Sequence, residues 1–99
     1  MTTLQLVIRP LAHADIDDAY DWYELQHTGR GDLFADELRV KLQEIQAYPE
    51  HYGRIRRQIR AAPLPRSKFI VYYRIFPDSI TVLAVQHASA DPRKWQRRK

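Results

Sequence analysis

Lys68-Phe-Ile-Val-Tyr-Tyr-Arg-Ile-Phe76, Pro77-Asp-Ser79 and Ile80-Thr-Val-Leu-Ala-Val-Gln86 follow one another without a break and decide the fold. β-Branched and aromatic residues fill both long runs, which suits a pleated, half-buried surface. Pro77 has its φ preset for the second position of a turn, and Asp78 and Ser79 are turn formers. The two runs are predicted to pair as a β-hairpin.

Working outward from that hairpin, Leu4 to Arg9 reads as a first strand ended by Pro10. From about Ala12 the period changes: Ile16, Ala19, Tyr20 and Tyr23 recur at three and four and make one apolar helical face. Trp22 is assigned with Tyr23 to the helix core. Asp15, Asp17, Asp18, Asp21 and Glu24 populate the rest of the surface as a solvated acidic face. Thr28-Gly-Arg-Gly31 breaks this helix. A second helix follows to about Tyr48, with Phe34, Leu38, Leu42 and Ile45 on one stripe and Pro49 as its stop. A short glycine turn predicts that the two helices lie antiparallel. Ile55 to Arg60 reads as one extended run. Ala61 to Pro65 is not expected to continue it as a central strand, because two prolines remove two donors. The order is β-α-α-β-β-β. This predicts an α+β domain over residues 1–99, with a helical hairpin on one face of a small twisted sheet and a basic tail from about residue 88.

Composition narrows the function. The 99 residues are 44% hydrophobic with eleven aromatics, enough for one packed core. Cysteine is absent, so disulfides and thiolate metal sites are excluded. His13, His27 and His51 have no partners at ligand spacing, and neither a metal nor a cofactor is expected. No run of about 18 apolar residues exists to span a membrane, and the N-terminus lacks a signal-peptide pattern, so a cytoplasmic protein is expected.

The charge is divided by halves. Residues 1–50 carry four basic and ten acidic side chains, and residues 51–99 carry twelve basic against two acidic. The acidic half is mostly predicted helix, and the basic half is mostly sheet and tail. An open sheet face lined by arginines suits an acidic partner, whether nucleic acid, a ribonucleoprotein or an acidic protein segment.

The succession Asp15-Ile16-x-x-Ala19-x-x-Trp22-Tyr23-Glu24, Gly29-x-Gly31, Phe34, Leu38, Leu42, Ile45, Pro49 resembles the RelE/ParE superfamily of toxins from bacterial type II toxin–antitoxin systems. The resemblance continues through Phe69-Ile-Val-Tyr-Tyr-Arg-Ile75, Ile80-x-Val82-Leu-Ala-Val85-x-His87 and Asp91-Pro-Arg93-x-Trp95, and so covers roughly residues 5–98. It implies a small growth-inhibiting protein held inactive in a hetero-oligomer by a cognate antitoxin. Two activities occur in the superfamily. RelE-like members cut messenger RNA in the ribosomal decoding site, and ParE-like members poison DNA gyrase.

Cleaving members usually keep an arginine in a strand motif Arg-Leu-Val-Tyr. Aligned on Tyr72 or on Tyr73, that arginine position falls on Phe69 or Ile70, both apolar. The resemblance therefore favours the ParE-like branch: a protein that binds gyrase and needs no chemistry of its own. The alternatives are a metal-independent endoribonuclease acting on mRNA at the ribosome, and a non-enzymatic protein that binds only an antitoxin. For the endoribonuclease, His87 is the acid–base candidate, because it ends the last strand, where a side chain can reach the open face. Arg74 is the phosphate candidate. For target or antitoxin binding the candidates are Arg56, Arg57, Arg60, Arg66, Lys68, Arg74, Arg93 and Arg97, together with Trp95, for which packing back on the sheet is the favoured role.

Overall fold

Val71 and Tyr73 point to one side of the strand Phe69–Ile75, and Ile70, Tyr72 and Arg74 point to the other. The two long helices cover the first side, and Trp95 covers the second only at its centre. A computed structural model describes residues 4–98, with strands β1 (Gln5–Ile8), β2 (Arg54–Arg56), β3 (Ile59–Pro63), β4 (Phe69–Ile75) and β5 (Ser79–His87). The helices are α1 (Pro10–Gln26), α2 (Arg30–Ala47) and the short α3 (Arg93–Gln96). One mixed sheet has the order β1-β5-β4-β3-β2. β1 runs parallel to β5, and every other pairing is antiparallel. No described helix is long and apolar enough to cross a membrane.

Pro10 stands at the first helical position of α1, where its missing N–H costs nothing. Glu24 joins the helical pair: its Oε1 accepts the amides of Gly29 (3.0 Å) and Gly31 (2.9 Å), two of the orphan donors at the start of α2. Gly29 takes φ +95°, a left-handed conformation that reverses the chain between the helices. The Tyr20 hydroxyl donates to Asp32 near that turn, and His13 and Ile16 at the start of α1 line one recess with Leu42 and Gln46 at the end of α2, so the helices run antiparallel as predicted. Ala12, Ala19, Phe34, Leu38 and Ile45 pack onto Val71, Tyr73, Ile80, Val82 and Val85 to form the main core.

Four details depart from the sequence reading. Ile55 to Arg60 is not one strand. It folds back at Arg57, which has φ +52°, so that Arg54 pairs with Arg60. Ala61 to Pro63 do continue a strand, and β3 lies between β2 and β4. Pro63 is tolerated because Leu64 N–H donates to the Phe69 carbonyl (2.8 Å), which turns the Pro63 nitrogen to the side where β2 has already ended. Trp22 is not core: it is 53% exposed, and it meets Tyr23 edge-on. Asp15 is not part of a solvated face. Its carboxylate accepts Val85 N–H (3.0 Å) and pairs with Arg98, beyond the point where β1 stops covering the edge of β5.

Candidate functional site

The sheet face opposite the helices has an apolar centre. Tyr72, Ala84 and Trp95 form a second buried cluster, with Ile59, Ala61 and Ile70 packed against it. Trp95 is carried there by α3 and stacks on Tyr72, ring centroids 4.5 Å apart. Burial pushes the Tyr72 hydroxyl up from its ordinary value. The expected arginine-lined face is therefore corrected: its middle is apolar, and the candidate cations fall into three groups, not all of them on this face.

The first group lies at the β2–β3 end. Register places Arg56, Ile59, Arg74, Thr81 and Val7 in one row across the face. Arg56 and Arg74 are two strand spacings apart in that row, about 10 Å. The Arg74 guanidinium lies 4.6 Å from the Phe76 ring centroid, and its buried Nε has no hydrogen-bond partner. Arg57 stands exposed in the adjoining turn. Arg60 does not belong to this group. It pairs with Tyr73 on the helix side, and its Nη1 donates to the Tyr52 carbonyl at 2.6 Å.

A polar clamp holds the segment leading into this end. The Tyr52 hydroxyl donates to Glu44 Oε1 (2.9 Å) and accepts from Lys41, while Lys41 also pairs with Glu44 (3.1 Å). The hydrogen bond from Tyr52, then that from Lys41, holds the Glu44 carboxyl below the usual carboxylate range. The Tyr73 hydroxyl donates to the Pro49 carbonyl (2.7 Å) beside it. Lys41 and Glu44 are an i,i+3 pair of α2, but the contacts of Tyr52 were not readable from spacing, because they join α2 to an irregular segment.

The second group, Arg66 and Lys68, lies in the loop between β3 and β4, and both side chains are exposed; Glu37 of α2 binds the Arg66 amide, so Arg66 stands on the helix side and not on the open face. Lys68 takes φ +63° and donates its amide to Leu64 O (3.0 Å), so it closes the turn. The third group is on and after α3. Arg93 forms a bidentate pair with Asp91 (Nη2 to Oδ2 2.7 Å, Nε to Oδ1 3.2 Å), and Arg97 is exposed. Arg98 is withdrawn from the surface into the Asp15 pair, where it also donates to Leu83 O at 3.3 Å.

His87 and Arg74 do not share a site. His87 pairs with Phe69, and the two rings meet edge-on at 5.3 Å on the helix side of the sheet. Arg74 pairs with Thr81 on the opposite side, five residues along β4, a separation of about 17 Å along the strand. The reach of His87 toward the open face, expected from its place at the strand end, is thereby corrected. A bulge in β5 opposite Tyr72 and Tyr73 shifts the facing of every later residue, and no residue pattern announced it. His87 Nδ1 accepts the Ser89 amide (3.1 Å) and lies 2.7 Å from Ser89 Oγ, so the neutral ring carries its proton on Nε2. Among the described residues, no three His, Asp or Glu side chains converge as metal ligands.

Residues 6–92 match the family described as ParE toxin of type II toxin-antitoxin system, parDE. A solved structure of the chromosomal ParDE toxin–antitoxin system from P. aeruginosa superposes with a TM-score of 0.74 at 22% identity. It covers 86% of this chain and 96% of that one, which establishes a shared fold. No curated protein sequence matches the chain.

Proposed function

The chain belongs to the ParE toxin family of type II toxin–antitoxin systems, and from that premise we propose that it stops growth by binding DNA gyrase. Contact is made through the cations around the open sheet face, and a cognate antitoxin neutralises the toxin in a hetero-oligomer. The observation that carries this reading is the separation of His87 from Arg74. Metal-free RNA cleavage needs a proton-transfer group and a phosphate-stabilising cation around one scissile bond. Here the two candidates stand on opposite faces of the sheet. Phe69 and Ile70, where a cleaving relative keeps its strand arginine, supply no replacement. A binding surface has no such requirement. Apolar centres with charged rims are the ordinary anatomy of protein interfaces, in which arginine and aromatic residues carry much of the affinity.

Induced expression tests the reading. Plasmid DNA extracted from the arrested cells is expected to be relaxed while a translated messenger stays full length. Messenger cut within the decoding site, with supercoiling intact, would overturn it in favour of the endoribonuclease. Normal growth with neither effect would favour a protein that binds only an antitoxin.

A further inference from the structure

Away from the open face, where α2 begins and the β3–β4 loop folds against it, a recess of about 240 Å³ is lined by Tyr23, Arg30, Leu33, Phe34, Glu37, Arg66 and Ser67. Its walls are fixed by contacts of its own residues. The Tyr23 hydroxyl donates to the Ser67 carbonyl at 2.8 Å, and the Tyr23 and Phe34 rings stack 5.6 Å apart. Glu37 accepts both loop amides, Arg66 N–H at 2.7 Å and Ser67 N–H at 3.1 Å. The polar groups of the floor are thus engaged by the protein, and what remains for a ligand is aromatic and aliphatic surface. Leu33 adds to that surface at 66% exposure. Arg30 and Arg66 stand exposed at the rim, and neither takes part in an ion pair among the described residues.

We propose that this recess docks an acidic peptide segment of a partner protein. One aliphatic or aromatic side chain would sit on Tyr23, Leu33 and Phe34, with a neighbouring carboxylate between Arg30 and Arg66. A preformed apolar floor with a few placed charges is how small recesses bind at low ordering cost. Two guanidiniums free of internal partners select a carboxylate beside the apolar group. A nucleic acid is the weaker fit. The floor offers no free donor or acceptor for a base edge. The basic tail of this chain is excluded as occupant by its sign. The assignment goes beyond the choice of growth target and holds whether or not that target is gyrase.

The test is an amide NMR titration of the full chain with the blocked dipeptide acetyl-Leu-Glu-amide. Saturable shifts are expected at Leu33, Phe34 and Ser67. Arg30→Gln and Arg66→Gln, both at exposed side chains, are each expected to weaken binding about five-fold. The serine analogue of the dipeptide should weaken it at least as much. The proposal is overturned by the absence of saturable shifts, or by shifts that survive in the double variant. It is overturned equally if a short oligouridylate gives the same shifts at lower concentration. Shifts that appear on concentrating the protein alone would assign the recess to a second copy instead, by way of Trp22 and Leu25 among the acidic residues of α1.

Discussion

Trp95 lies flat on Tyr72, their ring planes within 11° of parallel, at the centre of the sheet face that the helices leave open. This stack converts a polar tail into part of the fold. Trp95 is only 8% exposed, and it brings α3 with it. Trp95→Ala is expected to destabilise the protein by about 3 kcal/mol, read from the urea midpoint. Trp95→Phe should recover part of that loss. A change within about 0.5 kcal/mol for the alanine variant would mean that the tail does not hold this position.

Asp15 and Arg98 close the edge of β5 beyond β1 in an asymmetric way. Asp15 serves both Val85 N–H and Arg98, whereas Arg98 serves Asp15 and one carbonyl. Asp15→Ala orphans a backbone donor and a half-buried cation and is expected to cost about 3 kcal/mol. Arg98→Ala leaves Val85 N–H satisfied and should cost about 1 kcal/mol less. Equal losses in denaturant unfolding would refute the edge-closing role of Asp15.

Gly31 reverses a general rule. Exchanging helical glycine for alanine normally gains up to about 1 kcal/mol. A Cβ here would stand 2.7 Å from Glu24 Cγ and 2.9 Å from Tyr20 Cε2. It would displace the carboxylate that satisfies the start of α2. Gly31→Ala is therefore expected to lower stability by about 1–2 kcal/mol, visible as a lower thermal midpoint. A gain in stability would show that Glu24 moves aside freely.

Acid should loosen the tail before the core. Arg93 holds the Asp91 carboxyl below the usual range, through its side chain first and its backbone N–H second. A carboxyl depressed in the folded state contributes stability that is complete above its unfolded pKa and is lost as pH falls through the lower folded value. The window is therefore below about pH 4. Trp95 fluorescence, followed in a Trp22→Phe background, should change in that window, and Asp91→Asn should remove the transition. The same acid transition in the asparagine variant would assign it to another group.

The parts of the fold readable in the sequence are those with a clear period or a strong turn signal. Ile16, Ala19 and Tyr23, then Phe34, Leu38 and Ile45, marked two helix faces, and Pro77-Asp78 marked the β4–β5 turn. The β2–β3 turn was hidden because Arg56-Arg57-Gln58 contains none of the residues that normally take positive φ. Trp22 misled because its spacing from Ala19 fits the buried stripe as well as that of Tyr23 does. Of the candidate site, the sign of the charge was legible but its arrangement was not. Which face each cation reaches depends on the Arg57 reversal and on the β5 bulge, and both are tertiary choices. Arg30 escaped notice because Arg66, the second cation of the recess, comes from a loop about 36 residues further along the chain.

Gyrase supercoiling in the presence of the purified protein tests the central claim most directly. Inhibition is expected, undiminished by His87→Ala and reduced at least ten-fold by Arg56→Glu with Arg74→Glu, a loss of about 1.4 kcal/mol or more. Supercoiling that proceeds unaffected by the protein, or inhibition lost with His87→Ala and kept by the double arginine variant, would contradict it.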